Sequence, residues 1–121
     1  MIGMSSGIVK HKVYTMPSGN TTITFTDVME KPYGFMIATD ADSSVGKYAV
    51  LRVCGCLNED GTGYRQGYVS IATNGTKSGD QSITGNTAYD PDEKTFSCKI
   101  GVNFAAGLTY HLWYFTIPFN S

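Results

Sequence analysis

The sequence predicts an all-β protein: an antiparallel β-sandwich of about seven to eight strands, jelly-roll-like. Three observations carry this reading. Apolar residues recur with period two in one short segment after another, and no segment repeats them at helical spacing. Turn-forming runs rich in glycine, asparagine and aspartate separate those segments. The strand signals follow one another at short intervals, which is the pattern of a sandwich and not of alternating strands and helices.

The chain has 121 residues, the size of one domain. Residues 1–11 read as a flexible N-terminal segment and 12–121 as a single β-sandwich domain. Lys12 to Met16 is a short first strand. Residues 17–20 are turn chemistry. Thr21 to Thr26 alternates cleanly, with Ile23 and Phe25 inward. Tyr33 to Thr39 places Tyr33, Phe35 and Ile37 on one face, and Pro32 stands where a missing N–H costs little.

Lys47 to Leu57 and Gly63 to Thr73 read as a long hairpin around Asp60 and Gly61, a strong hairpin-turn pair. That turn aligns Leu57 with Tyr64 and Val53 with Tyr68. One hairpin face then carries Leu51, Val53, Leu57, Tyr64 and Tyr68. The other carries Val50, Cys54, Cys56, Val69 and Ile71, with Arg52 and Arg65.

Residues 73–93 are polar and rich in Gly, Asn and Ser. A structureless loop of that length is uncommon in a compact domain. Short strands are expected inside it, at Ser82 to Thr84 and Thr87 to Tyr89, together with a functional loop. Lys94 to Ile100 resumes strand character with Phe96, Cys98 and Ile100 aligned, and Leu108 to Ile117 is the final strand.

That last strand has no polar side. Tyr110, Leu112 and Tyr114 share one face, and His111, Trp113, Phe115 and Ile117 share the other. A second sheet can cover one face only. The other calls for a second subunit, so Tyr110, Leu112, Tyr114 and Trp113 are candidate oligomer-interface residues.

The composition excludes several function classes. Net charge is −1 with no basic stripe, which argues against nucleic acid as a partner. No run approaches the ~18 apolar residues of a membrane helix, so membrane insertion is not expected. The first ten residues show no apolar h-region or cleavage site, so no signal peptide is expected there. Cys54 and Cys56 would point to one side of a strand with Cβ atoms roughly 6–7 Å apart, beyond disulfide reach. All three cysteines read as small apolar core fillers in a reducing compartment.

No catalytic, metal or cofactor site emerges from the motifs. His11 lies near the N-terminus and His111 on the last strand, with no nucleophile elbow beside either. Asp40, Asp42 and Ser44 open like a calcium loop. Val45 then stands where glycine is needed and Leu51 where a bidentate acid is needed. Binding through loops fits better. Recognition of a sugar wants an aromatic platform with planar polar groups beside it. Tyr89 with Asp90, Asn74, Asn86 and Asp80 supplies those types on the long polar segment. Tyr64 and Tyr68 offer a second set on the hairpin, and its tip, residues 58–63, is a second binding region.

The order of pieces resembles a family. Thr22 to Phe25 is followed by Lys31 to Ile37, then the hairpin, then the Phe96 strand, then Gly107 to Phe115. This looks like the small β-sandwich domains at the ends of tailed-bacteriophage tail fibres and baseplate receptor-binding proteins. Those carry an early Pro-x-x-aromatic run and close on a Gly-x-x-Tyr-x-Tyr-like strand. This chain departs from the pattern at His111, Trp113 and Tyr114, where the family has simpler alternation. The resemblance spans residues 12–117. It implies a non-enzymatic virion structural and binding module without a cofactor, trimeric and assembled in the bacterial cytoplasm. Its partners would be other virion tail proteins and a host-surface glycan or protein. The alternative is a stand-alone bacterial carbohydrate-binding, lectin-like module, secreted or at the cell surface.

Overall fold

The computed structural model describes residues 9–17, 20–42, 48–72, 77–84, 87–104 and 107–117. These residues form nine strands and no helix. They are β1 (Val9–Thr15), β2 (Asn20–Phe25), β3 (Gly34–Asp42), β4 (Tyr48–Leu57), β5 (Tyr64–Ala72), β6 (Lys77–Thr84), β7 (Ala88–Asp90), β8 (Thr95–Phe104) and β9 (Thr109–Phe115). A six-stranded sheet runs in the order β1-β9-β3-β4-β5-β6, and a three-stranded sheet in the order β2-β8-β7. All pairings are antiparallel. The chain is a β-sandwich. Its larger sheet contains a meander of four consecutive strands, β3 to β6, in place of jelly-roll interleaving.

The inner faces are the alternating apolar sets read from the sequence. Ile23 and Phe25 of β2 and Phe96 and Cys98 of β8 meet Phe35 and Ile37 of β3, Val53 of β4 and Leu112 of β9 in one buried cluster. At its centre Phe96 stands edge-on to Phe35 at 5.0 Å and to Tyr64 at 5.3 Å between ring centroids. Edge-to-face packing suits the ring quadrupoles and ties the two sheets together.

The hairpin register is the expected one, with Leu57 opposite Tyr64 and Val53 opposite Tyr68. Its faces are not. The register between β3 and β4 shifts, so that Ile37 opposes Val53 and the next residue, Ala38, opposes Leu51. This bulge reverses the pleat parity of β4. Val50 therefore joins Val53 in full burial, while Leu51 is only half-buried.

Other expectations also change. β1 starts at Val9, so residues 9–11 belong to the sheet and not to a flexible segment; His11 is paired with Trp113. The polar stretch after β5 holds the eight-residue β6, longer than the strand expected there. Glycine has a specific task at position 34. A Cβ there would run into the Phe115 ring, which lies across the glycine from β9.

Candidate functional site

Cross-strand register places three rows of side chains on the outer face of the large sheet. One row runs Val9, Phe115, Gly34 and Cys56. The next runs His11, Trp113, Met36 and Cys54. The third runs Val13, His111, Ala38 and Leu51. Val9 is 53%, Val13 52% and Met36 39% exposed, large values for apolar side chains standing together. The outer face of the small sheet is built differently. Thr22, Thr24, Ser97 and Lys99 stand there, with Thr24 and Ser97 hydrogen-bonded through their hydroxyls at 2.9 Å. On β1, β9 and β3 the outer face of the large sheet is thus largely apolar and aromatic, with Thr15 and Thr109 at one end and exposed Arg65 of β5 continuing the row of Cys56, whereas that of the small sheet is polar.

The middle of the apolar face holds a polar chain. Asp40 accepts from Nε2–H of His111 at 2.7 Å. A carboxylate can only accept, so this bond assigns the proton to Nε2 of His111 and leaves its Nδ1 with a lone pair in the neutral ring. Nε2–H of His11 donates to that Nδ1 at 2.8 Å. The two imidazoles are parallel within 6°, and the Trp113 indole lies nearly parallel to both, with centroids 5.1 Å and 5.4 Å away. The Asp40–His111 pair is partly solvated and contributes at most about 1 kcal/mol. No local signal in the sequence could have found this group, because His11 and His111 are 100 residues apart.

Several proposed site residues have other work. Tyr110, Leu112 and Tyr114 are at most 1% exposed and belong to the core between the sheets. They are not available to an oligomer interface; of that set only Trp113 lies on the outer face. Tyr64 is core as well, and its hydroxyl donates to Pro32 O at 2.6 Å. Tyr89 faces Phe96 across β7 and β8, packs on the core, and donates to Val28 O at 2.7 Å. It is a packing residue and not an exposed platform.

Asp90 is exposed, but its carboxylate accepts from the N–H groups of Asp92 at 2.9 Å and Glu93 at 3.1 Å, which shapes the turn into β8. Tyr68 and Asp80 are placed by backbone register, opposite Val53 and Val69 respectively. Asn74 and Asn86 lie outside the described residues. Of the proposed loop cluster the structure thus describes Tyr89, Asp90 and the backbone position of Asp80.

Replacing Tyr89 with alanine is expected to lower stability by about 2–4 kcal/mol, and with phenylalanine by about 1 kcal/mol for the hydroxyl alone. Thermal unfolding of the two variants measures this. An unchanged melting temperature for the alanine variant would contradict the packing role.

At the hairpin tip, Asn58, Glu59, Asp60 and Arg65 line a cleft of about 290 Å³. Asp60 accepts from both N–H and O–H of Thr62, which holds its carboxyl below the ordinary range. Among the described residues no three His, Cys, Asp or Glu side chains are grouped as metal ligands.

The cysteines divide. All three are free thiols. Cys98 is the core filler that was expected. Cys54 is exposed and Cys56 half-buried, both on the outer face, because β4 turns them away from the core. Cys98 adjoins a buried polar group between the sheets. Gln66 Oε1 accepts from the Thr87 hydroxyl and, at 3.8 Å, from the Cys98 thiol, while Gln66 Nε2 donates to Lys99 O at 3.1 Å.

Burial pushes the Cys98 thiol up to about 11, against a small lowering through its bond to Thr87. The unfolded chain then loses this proton near pH 9 while the folded chain keeps it. Stability should fall as pH rises from about 9 towards 11, by at most about 1.4 kcal/mol per pH unit from this group. Buried Tyr64, also pushed upward by desolvation, acts in the same direction at higher pH. Urea midpoints across that range test the sign. In the folded monomer, thiol reagents should label Cys54 rapidly and Cys98 only on unfolding.

No family model, curated protein or solved structure matches this chain.

Proposed function

We propose that this chain is a non-enzymatic structural and binding module of the kind found at phage tail-fibre tips. In this reading, copies associate through the outer face of the six-stranded sheet and the loops meet a host-surface glycan or protein. The contrast between the two outer faces carries the reading. A solvated sheet face is expected to resemble that of the small sheet, with threonine, serine and lysine. Val9, Val13, Met36, Phe115 and Trp113 instead gather on one side of the large sheet. Contiguous apolar surface of this kind marks interaction sites. These residues lie on β1, β9 and β3, three adjacent strands spanning roughly 14 by 23 Å, the apolar centre of an interface whose standard size is ~800 Å² per partner.

The lectin-like alternative is less well supported. Sugar stacking needs an open aromatic face. One face of the Trp113 indole already lies against two imidazoles, Tyr64 is buried, and the Tyr89 hydroxyl is spent within the fold.

Sedimentation equilibrium tests the assembly. The wild-type chain should form a homotrimer in the micromolar range, as the resemblance implies. Trp113→Lys should yield a monomer whose unfolding free energy differs from that of a wild-type monomer by no more than about 1–2 kcal/mol, since Trp113 is outside the core. A wild-type chain that stays monomeric throughout, with Trp113 fluorescence reporting a solvated indole, would sink the reading.

A further inference from the structure

We infer that Asp40, His111 and His11 form a proton-controlled latch on the docking face. It holds while the imidazole pair carries at most one added proton and opens when the pair carries two. Its effect on assembly rests on the function proposed above; the hydrogen-bond chain itself does not.

The argument is donor and acceptor counting. In the neutral pair, Asp40 accepts from Nε2–H of His111, and Nδ1 of His111 accepts from Nε2–H of His11. Nδ1 of His11 is then the basic nitrogen. A first added proton goes there and leaves both bonds intact. The bond between the rings becomes charge-assisted and therefore stronger. A second proton has only Nδ1 of His111 to occupy. Two N–H groups then face each other across 2.8 Å with no lone pair between them, and two cations abut.

The surroundings match one added proton and not two. β9 pairs with β1 and β3 only. From β3 the carboxylate of Asp40 reaches His111. From β1 it is His11; Lys10 and Lys12 alternate to the other side of that strand, away from the exposed set. Next along the middle row, beyond Met36, stands the thiol of Cys54, and Arg52 occupies the β4 bulge beside Ala38. The parallel indole of Trp113 favours one imidazolium beside it.

His11 lies on β1, the edge strand, and His111 in the sheet proper, so breaking their bond loosens a tie between β1 and β9. It also leaves net positive charge on a face that must meet its own copy. Copies should separate on acidification.

The test is to follow both imidazoles of the full chain by long-range ¹H–¹⁵N spectra from about pH 8 to pH 5, where imidazole changes charge. Sedimentation equilibrium is run at both ends of that range. With one added proton per pair, His11 should carry it at Nδ1 while His111 stays protonated at Nε2; with two, the N–H···N bond between the rings should be absent. The association constant should fall at least ~tenfold across the range, equivalent to about 1.4 kcal/mol. In His11→Val the pH dependence of assembly should shrink.

An N–H···N bond between the rings that persists when both carry an added proton, or His111 signals unchanged in His11→Val, would overturn the latch. Loss of that bond with assembly equally strong at both ends would overturn its control of docking. A chain monomeric at both ends would overturn the docking face itself, and with it that control, while the spectra would still report on the hydrogen-bond chain.

Discussion

Replacing Phe96 with alanine is expected to lower the free energy of unfolding by about 3–5 kcal/mol, a large part of what a domain this size possesses. Phe96 is fully buried. It projects from β8 of the small sheet into the space between Phe35 of β3 and Tyr64 of β5 in the large one. Truncation removes the transfer energy of the ring and leaves a cavity between two hydrogen-bonded sheets, which cannot collapse onto it without shifting whole strands. Tyr64 also loses an edge-on partner while its hydroxyl stays bound to Pro32 O. Phe96→Leu keeps most of the volume and should cost under about 1.5 kcal/mol. Thermal melts should show the alanine variant lower by more than ~10 °C and the leucine variant close to the parent. Equal melting temperatures for all three would refute the central role of this ring.

The second large effect is expected from adding a single methyl group. Gly55→Ala should destabilise by about 3 kcal/mol or more. Gly55 opposes Gln66 in the β4–β5 ladder. A Cβ on residue 55 would lie 2.9 Å from the Gln66 Cα and closer still to the Arg65 carbonyl oxygen. These are backbone atoms, so no rotamer change relieves the contact. The strands must separate, and Gln66 then moves off Thr87 and the Lys99 carbonyl. Gly61→Ala is the control. Its φ is 75° and nothing lies within 4 Å of an added Cβ, so strain alone should cost about 1 kcal/mol. Urea unfolding with an unchanged m-value separates the two. A Gly55→Ala midpoint equal to that of Gly61→Ala would remove the steric explanation for the glycine between Cys54 and Cys56.

The Tyr89 assignment illustrates where reading by residue type stops. A tyrosine beside an aspartate in a Gly/Asn/Ser-rich stretch has the chemistry of a sugar platform. The same tyrosine, paired with Phe96 on a three-residue strand, is instead a wall of the core. Only the pairing of β7 with β8 distinguishes the two. The bulge in β4 is similar. Both Val50 and Leu51 are apolar, so the sequence contains no mark of which one points inward.

Period-two alternation, by itself, determined the sheet content, the sharing of faces along β2, β3 and β9, and the Leu57–Tyr64 register set by the Asp60–Gly61 turn, because these are properties of neighbouring residues. Which face is covered was decided by tertiary structure alone. Burying Tyr110, Leu112 and Tyr114 beneath the small sheet left His111 and Trp113 outside, where His11 and Asp40 could reach them. Those contacts depend on strand order across the whole chain, and strand order is a balance of long-range packing that no local pattern records.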